Sequence, residues 1–141
     1  MFYKALLYPV LIQVALTFAV LGRLFYLRVL EFRKRGIHPE SVPTRTQMRE
    51  ALTDSAAASD NFQNQFELPV LFYLAVVLAI TLLLRDPLLA TLAWTFVGLR
   101  VLHALVHVTY NAVMHRFALF ACGVVVLIAM WARLGWLIFL Q

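Results

Sequence analysis

Residues Leu68 to His107 read LPVLFYLAVVLAITLLLRDPLLATLAWTFVGLRVLHALVH, two apolar runs joined at Arg85-Asp86-Pro87. No Asp, Glu, Lys or Arg lies between Leu68 and Leu84, and only Arg100 interrupts the run from Pro87 to His115. A helix needs roughly 20 residues to cross a hydrocarbon core of about 30 Å, so each run with its flanks can span a bilayer. The join is short, which makes the two helices antiparallel neighbours.

Two further uncharged runs, Ala5 to Gly22 and Phe117 to Ala132, lie outside this hairpin. Hydrophobic residues make up 63% of the 141-residue chain and charged ones 13%, with a mean hydropathy of +0.84. Those values exclude an ordinary soluble domain. The expected fold is all-α and integral to the membrane: one domain over residues 1–141, a bundle of four transmembrane helices near 3–30, 61–84, 87–112 and 116–139. The polar segment 31–59, with Pro39 and Pro43, reads as a loop of modest order. Lys4 precedes an apolar run as in a signal peptide, but 18 uncharged residues are long for that role and no clear small-residue cleavage site follows. The first helix is therefore read as retained.

With four spans the first and third loops share a side. That side carries Arg28, Arg33, Lys34, Arg35, Arg45, Arg49 and Arg116 against Lys4, Arg85 and Arg133 opposite. Seven against three puts loops 31–59 and 111–116 in the cytoplasm and both termini outside. The net charge of +5 then suits a rim beside anionic membrane lipid and requires no nucleic acid. Nucleotide-binding and serine-hydrolase motifs are absent. Cys122 is the single cysteine, which removes internal disulfides and cysteine clusters, and it reads as a small buried hydrophobe.

Chemistry must therefore come from side chains on the helices. At 100° per residue, Arg100, His103, His107, Tyr110 and Asn111 share a wedge of about 100° on the third helix. A charge inside a span costs roughly 2.5 to 3.5 kcal/mol, so this stripe should face protein or water. At the start of the second helix, Asp60 with Gln63 is placed as an N-cap resembling a capping box, and Asn64 and Glu67 lie on adjacent turns of one face. Pro69 cannot donate to the carbonyl of Gln65 and should bend the helix there. Glu67 needs a partner, with Arg100 or Arg28 as candidates, and the pairing serves either helix packing or a ligand site. Arg23 and Arg28 snorkel to the headgroups by default. His103 and His107, spaced i, i+4, fit either interhelical hydrogen bonds or, less well, a metal or haem; no metal is expected.

Asn64 and Glu67 in N-x-x-E, Arg100 and His103 in R-x-x-H, and Arg116 before the last helix resemble the MAPEG superfamily, the membrane-associated proteins of eicosanoid and glutathione metabolism. The resemblance covers nearly the whole chain, is strongest in DNFQNQFELPVLFY and RVLHALVHVTYNAVMHRF, and looks most like a bacterial branch. It implies a homotrimer in a bacterial inner membrane, with glutathione as co-substrate between subunits and a lipophilic small-molecule substrate arriving from the bilayer. It also implies a glutathione transferase or peroxidase in which Arg116 is the catalytic arginine beside the thiol. Arg28, Asn64, Glu67 and His103 match family ligand contacts, and Arg100, His107 and Tyr110 complete the candidate glutathione site. The sequence departs from the family pattern at Asp60, where arginine is usual, at Leu68, and at His107, where tyrosine is common. Beside this stands a second expectation, a non-catalytic membrane protein that binds lipid or a protein partner and keeps the polar residues for helix packing.

Overall fold

The computed structural model describes residues 2–140. Their elements are α1 (Phe2–Arg35), a 3-10 turn (Pro39–Ser41), α2 (Arg45–Ala51), α3 (Ala56–Gln63), α4 (Leu68–Thr81), α5 (Pro87–Val108) and α6 (Val113–Phe139). Among the described residues there is no strand, and four stretches are long and apolar enough to cross a membrane: Tyr3–Arg35, Ala56–Thr81, Pro87–Val108 and Val113–Phe139. The expected four-span helical membrane bundle is thus the observed one.

The core follows the helical period. α4 buries Phe72, Ala75, Val76 and Ala79, α5 buries Leu89, Ala93, Phe96 and Val97, and α6 buries Gly123, Leu127, Met130 and Leu134. Phe72 stacks on Phe96 at 4.9 Å between ring centroids. Lipid is as apolar as leucine, so helix association here rests on close packing past small residues and on interhelical hydrogen bonds. One such bond joins Gln13 on α1 to Gln65, Nε2 donating to Oε1 at 2.9 Å with both side chains buried. Outward faces carry large apolar residues such as Phe18, Phe25, Val125 and Ile128. Cys122 also points outward, contrary to its expected burial, because the inward face of α6 runs through Gly123 and Leu127.

The segment read as a loose loop is largely built. α1 continues to Arg35, supported by an ion pair between Glu31 and Arg35 at 2.9 Å and by basic residues in its last turn. It stops at Gly36, whose φ of +62° suits glycine at a helix C-terminus. Glu31 is buried, and its two carboxylate oxygens accept from the backbone N–H groups of Asp54 and Ser55, each at 2.9 Å. A carboxylate from α1 thereby serves the donors at the start of α3. Arg35 adds bonds to the Ala51 carbonyl, Thr53 and Asp54. The capping box lies at Thr44 and Gln47, which start α2.

Asp60 is therefore not an N-cap. α3 begins earlier, after Ser55, and Asp60 sits inside it, 3.5 Å from Arg49. The second span is also interrupted rather than bent: helical geometry lapses over residues 64–67 and α4 restarts at Leu68 with Pro69 in its first turn. Proline is favoured there because the first-turn N–H groups have no intrahelical acceptor. α5 ends at Val108, short of the expected 112, and Asn111 takes a positive φ of 50°. α6 begins at Val113, so Arg116 lies within its first turn.

Candidate functional site

Arg100, His103 and His107 share the inner face of α5 and are all buried. The break after α3 brings Asn64 to them. Its carbonyl accepts from Arg100 Nη2, and its side-chain nitrogen lies 3.4 Å from Nε2 of both His103 and His107. His103 Nδ1 is 3.0 Å from the Arg116 carbonyl oxygen. That acceptor places the His103 proton on Nδ1 and leaves Nε2 to accept from the Asn64 amide.

His107 has more donors than a neutral imidazole can serve. Asn64 approaches its Nε2, while Arg116 Nη1 lies 3.1 Å from its Nδ1 and 3.3 Å from its Nε2. The ring offers one lone pair, so it accepts from Asn64 or from Arg116. Arg116 Nη1 also donates to Asn111 Oδ1 at 2.9 Å. Among the described residues, Arg100 Nε, Arg100 Nη1 and Arg116 Nε are buried with no acceptor. The cluster is thus rich in N–H donors and poor in acceptors. It opens into a cavity of about 220 Å³ lined by Asp60, Asn64, His103, His107, Arg116 and Phe120, with exposed Val113 and Phe117 at its rim.

The remaining candidates lie elsewhere. Tyr110 is exposed and its hydroxyl meets His115 Nδ1 at 3.0 Å. It leaves the wedge because α5 unwinds at Thr109, where a 100° step ceases to apply. Glu67 is exposed and makes no ion pair with Arg100 or Arg28 among the described residues, since the break at 64–67 carries it outward. Arg28 faces inward, its Nη2 donating to Ser59 Oγ at 3.2 Å. It lines a different cavity of about 270 Å³ with Arg45, Arg49, Ser59, Asp60 and Gln63. Arg23 reaches the Val108 carbonyl at 3.5 Å, at the C-terminus of α5, where a cation is favoured.

Sequence reasoning missed Gln13 and Glu31. The available signals were an amide inside an uncharged run and the i, i+4 spacing of Glu31 to Arg35. Among the described residues no group of three His, Cys, Asp or Glu side chains could hold a metal ion; the rings of His103 and His107 lie 5.1 Å apart and face Asn64 and Arg116.

Four apolar spans around a buried arginine, histidine and amide cluster define a helical membrane protein with a polar pocket at one end of its bundle. The chain matches the model of the MAPEG family over residues 6–136 and belongs to that family. Membership puts it in the membrane-protein superfamily of glutathione and eicosanoid metabolism, whose members generally use glutathione. Comparison with curated proteins and with solved structures gave no match.

Proposed function

We infer that this protein is a glutathione-dependent transferase or peroxidase acting on lipophilic electrophiles. The observation that carries the reading is the donor surplus around Asn64: buried guanidinium N–H groups of Arg100 and Arg116 lack acceptors among the described residues. An unsatisfied buried donor costs about 1–3 kcal/mol, and more when charged, so the cluster favours an anionic guest. Glutathione supplies carboxylates and, once ionised, a thiolate. Arg116 beside the sulfur lowers the thiol pKa and raises the fraction of the nucleophilic form. The thiolate then attacks an electrophilic carbon, forming the S–C bond as the leaving group departs with its electron pair. Val113 and Phe117, apolar and exposed at the rim, suit a substrate that arrives sideways from the bilayer.

Asn64, His103, His107 and Arg116 line the thiol end of this site, Arg100 stands behind them on the Asn64 carbonyl, and Arg28 belongs to the neighbouring cavity. Glu67 and Tyr110 are exposed within one chain, positions from which a neighbouring subunit of a homotrimer can be reached. The assembly we infer is that trimer, in a bacterial inner membrane, with loops 31–59 and 111–116 cytoplasmic. The test is ligand-dependent thermal stabilisation of the purified protein across low-molecular-weight thiols, followed by conjugation to a chlorinated aromatic acceptor. Neither stabilisation nor turnover with any thiol would sink the reading.

A second reading draws on the hydrogen bonds that Arg116 already makes to Asn111, His107 and His103, which tie the end of α5 to the start of α6. On it the cluster is a packing device in a lipid-binding or partner-binding protein. Arg116→Ala would then lower the melting temperature and leave thiol affinity untouched.

A further inference from the structure

We propose that the cleft where α1 turns back at Gly36 is a site for an anionic phospholipid, with Arg33 holding the phosphate and Phe32 and Val29 bearing the first part of an acyl chain. It shares no lining residue with the cavity beside Arg116 and stands or falls apart from the thiol reading.

The two faces of α1 are sharply divided. At 100° per residue, the buried Leu6, Gln13, Val20, Leu24 and Glu31 fall within about 40° of one another. Leu11, Phe18, Phe25, Val29 and Arg33 lie on the opposite side, within about 80°. Leu11, Phe18 and Phe25 are exposed, and on a spanning helix such a stripe meets lipid chains. From Leu11 to Arg33 the helix rises about 33 Å, close to the thickness of a hydrocarbon core. The stripe therefore ends in a cation at headgroup depth.

The protein leaves that cation unused. Of the three basic residues in the last turn of α1, Lys34 pairs with Asp54 at 3.8 Å, and Arg35 pairs with Glu31 at 2.9 Å and Asp54 at 3.0 Å. Among the described residues, Arg33 has no carboxylate within 4.0 Å and makes no hydrogen bond. The cleft beside it measures about 400 Å³ and is walled by Val29, Phe32, Ile37, His38 and Pro39, with no carboxylate in its lining. The turn sets its shape: Gly36 takes φ +62°, and the Ile37 N–H closes on the Phe32 carbonyl at 3.2 Å. A cation at the headgroups above a hydrocarbon-facing stripe suits an amphiphile rather than a free anion. An anionic phospholipid brings one uncompensated negative charge for Arg33 to match. A zwitterionic lipid carries its own cation and gains less from the same arginine.

The full-length protein is placed in phosphatidylcholine nanodiscs with a small share of phosphatidylglycerol bearing a photoactivatable acyl chain, and labelled residues are mapped by peptide mass spectrometry. Labelling should concentrate at residues 25–32, and Arg33→Gln should reduce it there about fivefold. Lys34→Gln, in the same basic turn, should leave it unchanged, as should millimolar inorganic phosphate. Photoactivatable phosphatidylcholine at the same share should label the stretch about fivefold less, and equally in wild type and Arg33→Gln. Unchanged thermal unfolding shows that the variants remain folded, and the comparison of the two lipids on the wild type needs no variant. Equal labelling by both lipids in the wild type, or an undiminished yield in Arg33→Gln, overturns the site. An equal fall in Lys34→Gln overturns it in favour of a diffuse basic rim, and loss of label in inorganic phosphate in favour of a free-anion site. Absence of label from residues 25–32 overturns it too, in favour of a second copy of the chain covering this face.

Discussion

The two ends of the bundle treat charge in opposite ways. At the turn between α4 and α5, Asp86 accepts from the Leu89 N–H at 3.0 Å and from Arg133 Nη2 at 2.6 Å and Nε at 3.2 Å. Both partners there are satisfied by known acceptors and donors, and the pair closes α5 against α6. At the other end, Arg100 and Arg116 keep buried donors without acceptors among the described residues, and one histidine is approached by more donors than it can serve. A matched charge pair is sufficient as architecture. A surplus of one kind of hydrogen-bonding group inside a membrane protein points to a guest of the opposite kind.

The largest way to break this comparison is Arg116→Ala. If the donor surplus serves a thiolate, the substitution should lower kcat/KM for thiol conjugation about 100-fold, as loss of one preorganised donor does elsewhere. A steady-state assay against wild type, with melting temperature as the control, separates this from simple loss of fold. Equal activity would make the two ends alike.

Next in size is Asp86→Ala. It removes the N-cap of α5 and should cost about 1 kcal/mol of stability, with no change in thiol affinity. The hydrogen bond from Arg133, and secondarily those from the Leu89 and Leu88 backbone, hold the Asp86 carboxyl below its ordinary value of 3.8. A depressed carboxylate stabilises the folded state fully above its unfolded pKa and loses that contribution as pH falls through the folded one. Acid denaturation should accordingly show an Asp86-dependent loss below about pH 3.8, read as a shift of the melting temperature between wild type and Asp86→Asn. An identical acid limb in both proteins would remove the pair from the account.

Gln13→Leu should have the smallest effect, about 0.6 kcal/mol, the mean for an interhelical hydrogen bond in a membrane. Reversible unfolding in mixed detergent would measure it. A cost several times larger would show that the amide link to Gln65 also supports the polar site beyond it.

Hydropathy made the spans legible in the sequence, because crossing a bilayer constrains the composition of every long helix. The α5 stripe was legible as far as its helix runs: Arg100, His103 and His107 follow the period. Tyr110 fails only because the chain unwinds at Thr109, where nothing in Val108-Thr109-Tyr110-Asn111 announces a stop beyond asparagine's tolerance of positive φ. Asn64 was legible as a polar residue of the second span, while the break that brings it to Arg100, His103 and His107 was not. A proline at 69 signals a disturbed helix, but not whether the helix bends or restarts. Glu31 was hidden by its place next to basic residues, a setting that suggests solvent rather than burial. Its partners are backbone groups more than 20 residues along the chain, and such pairings leave no periodic trace.

The interruption at residues 64–67 divides the labour of the second span. α3 is fastened to α1 through Glu31 and Arg28 and to α2 through Arg49, whereas α4 is fastened to the apolar core through Phe72 and its neighbours. Residues 37–55 lie outside the four spans and form a cassette whose substitution leaves the packing of the spanning helices in place. Diversity among related chains should concentrate in that cassette, and transplanting it between them should transfer ligand preference while leaving the bundle unchanged.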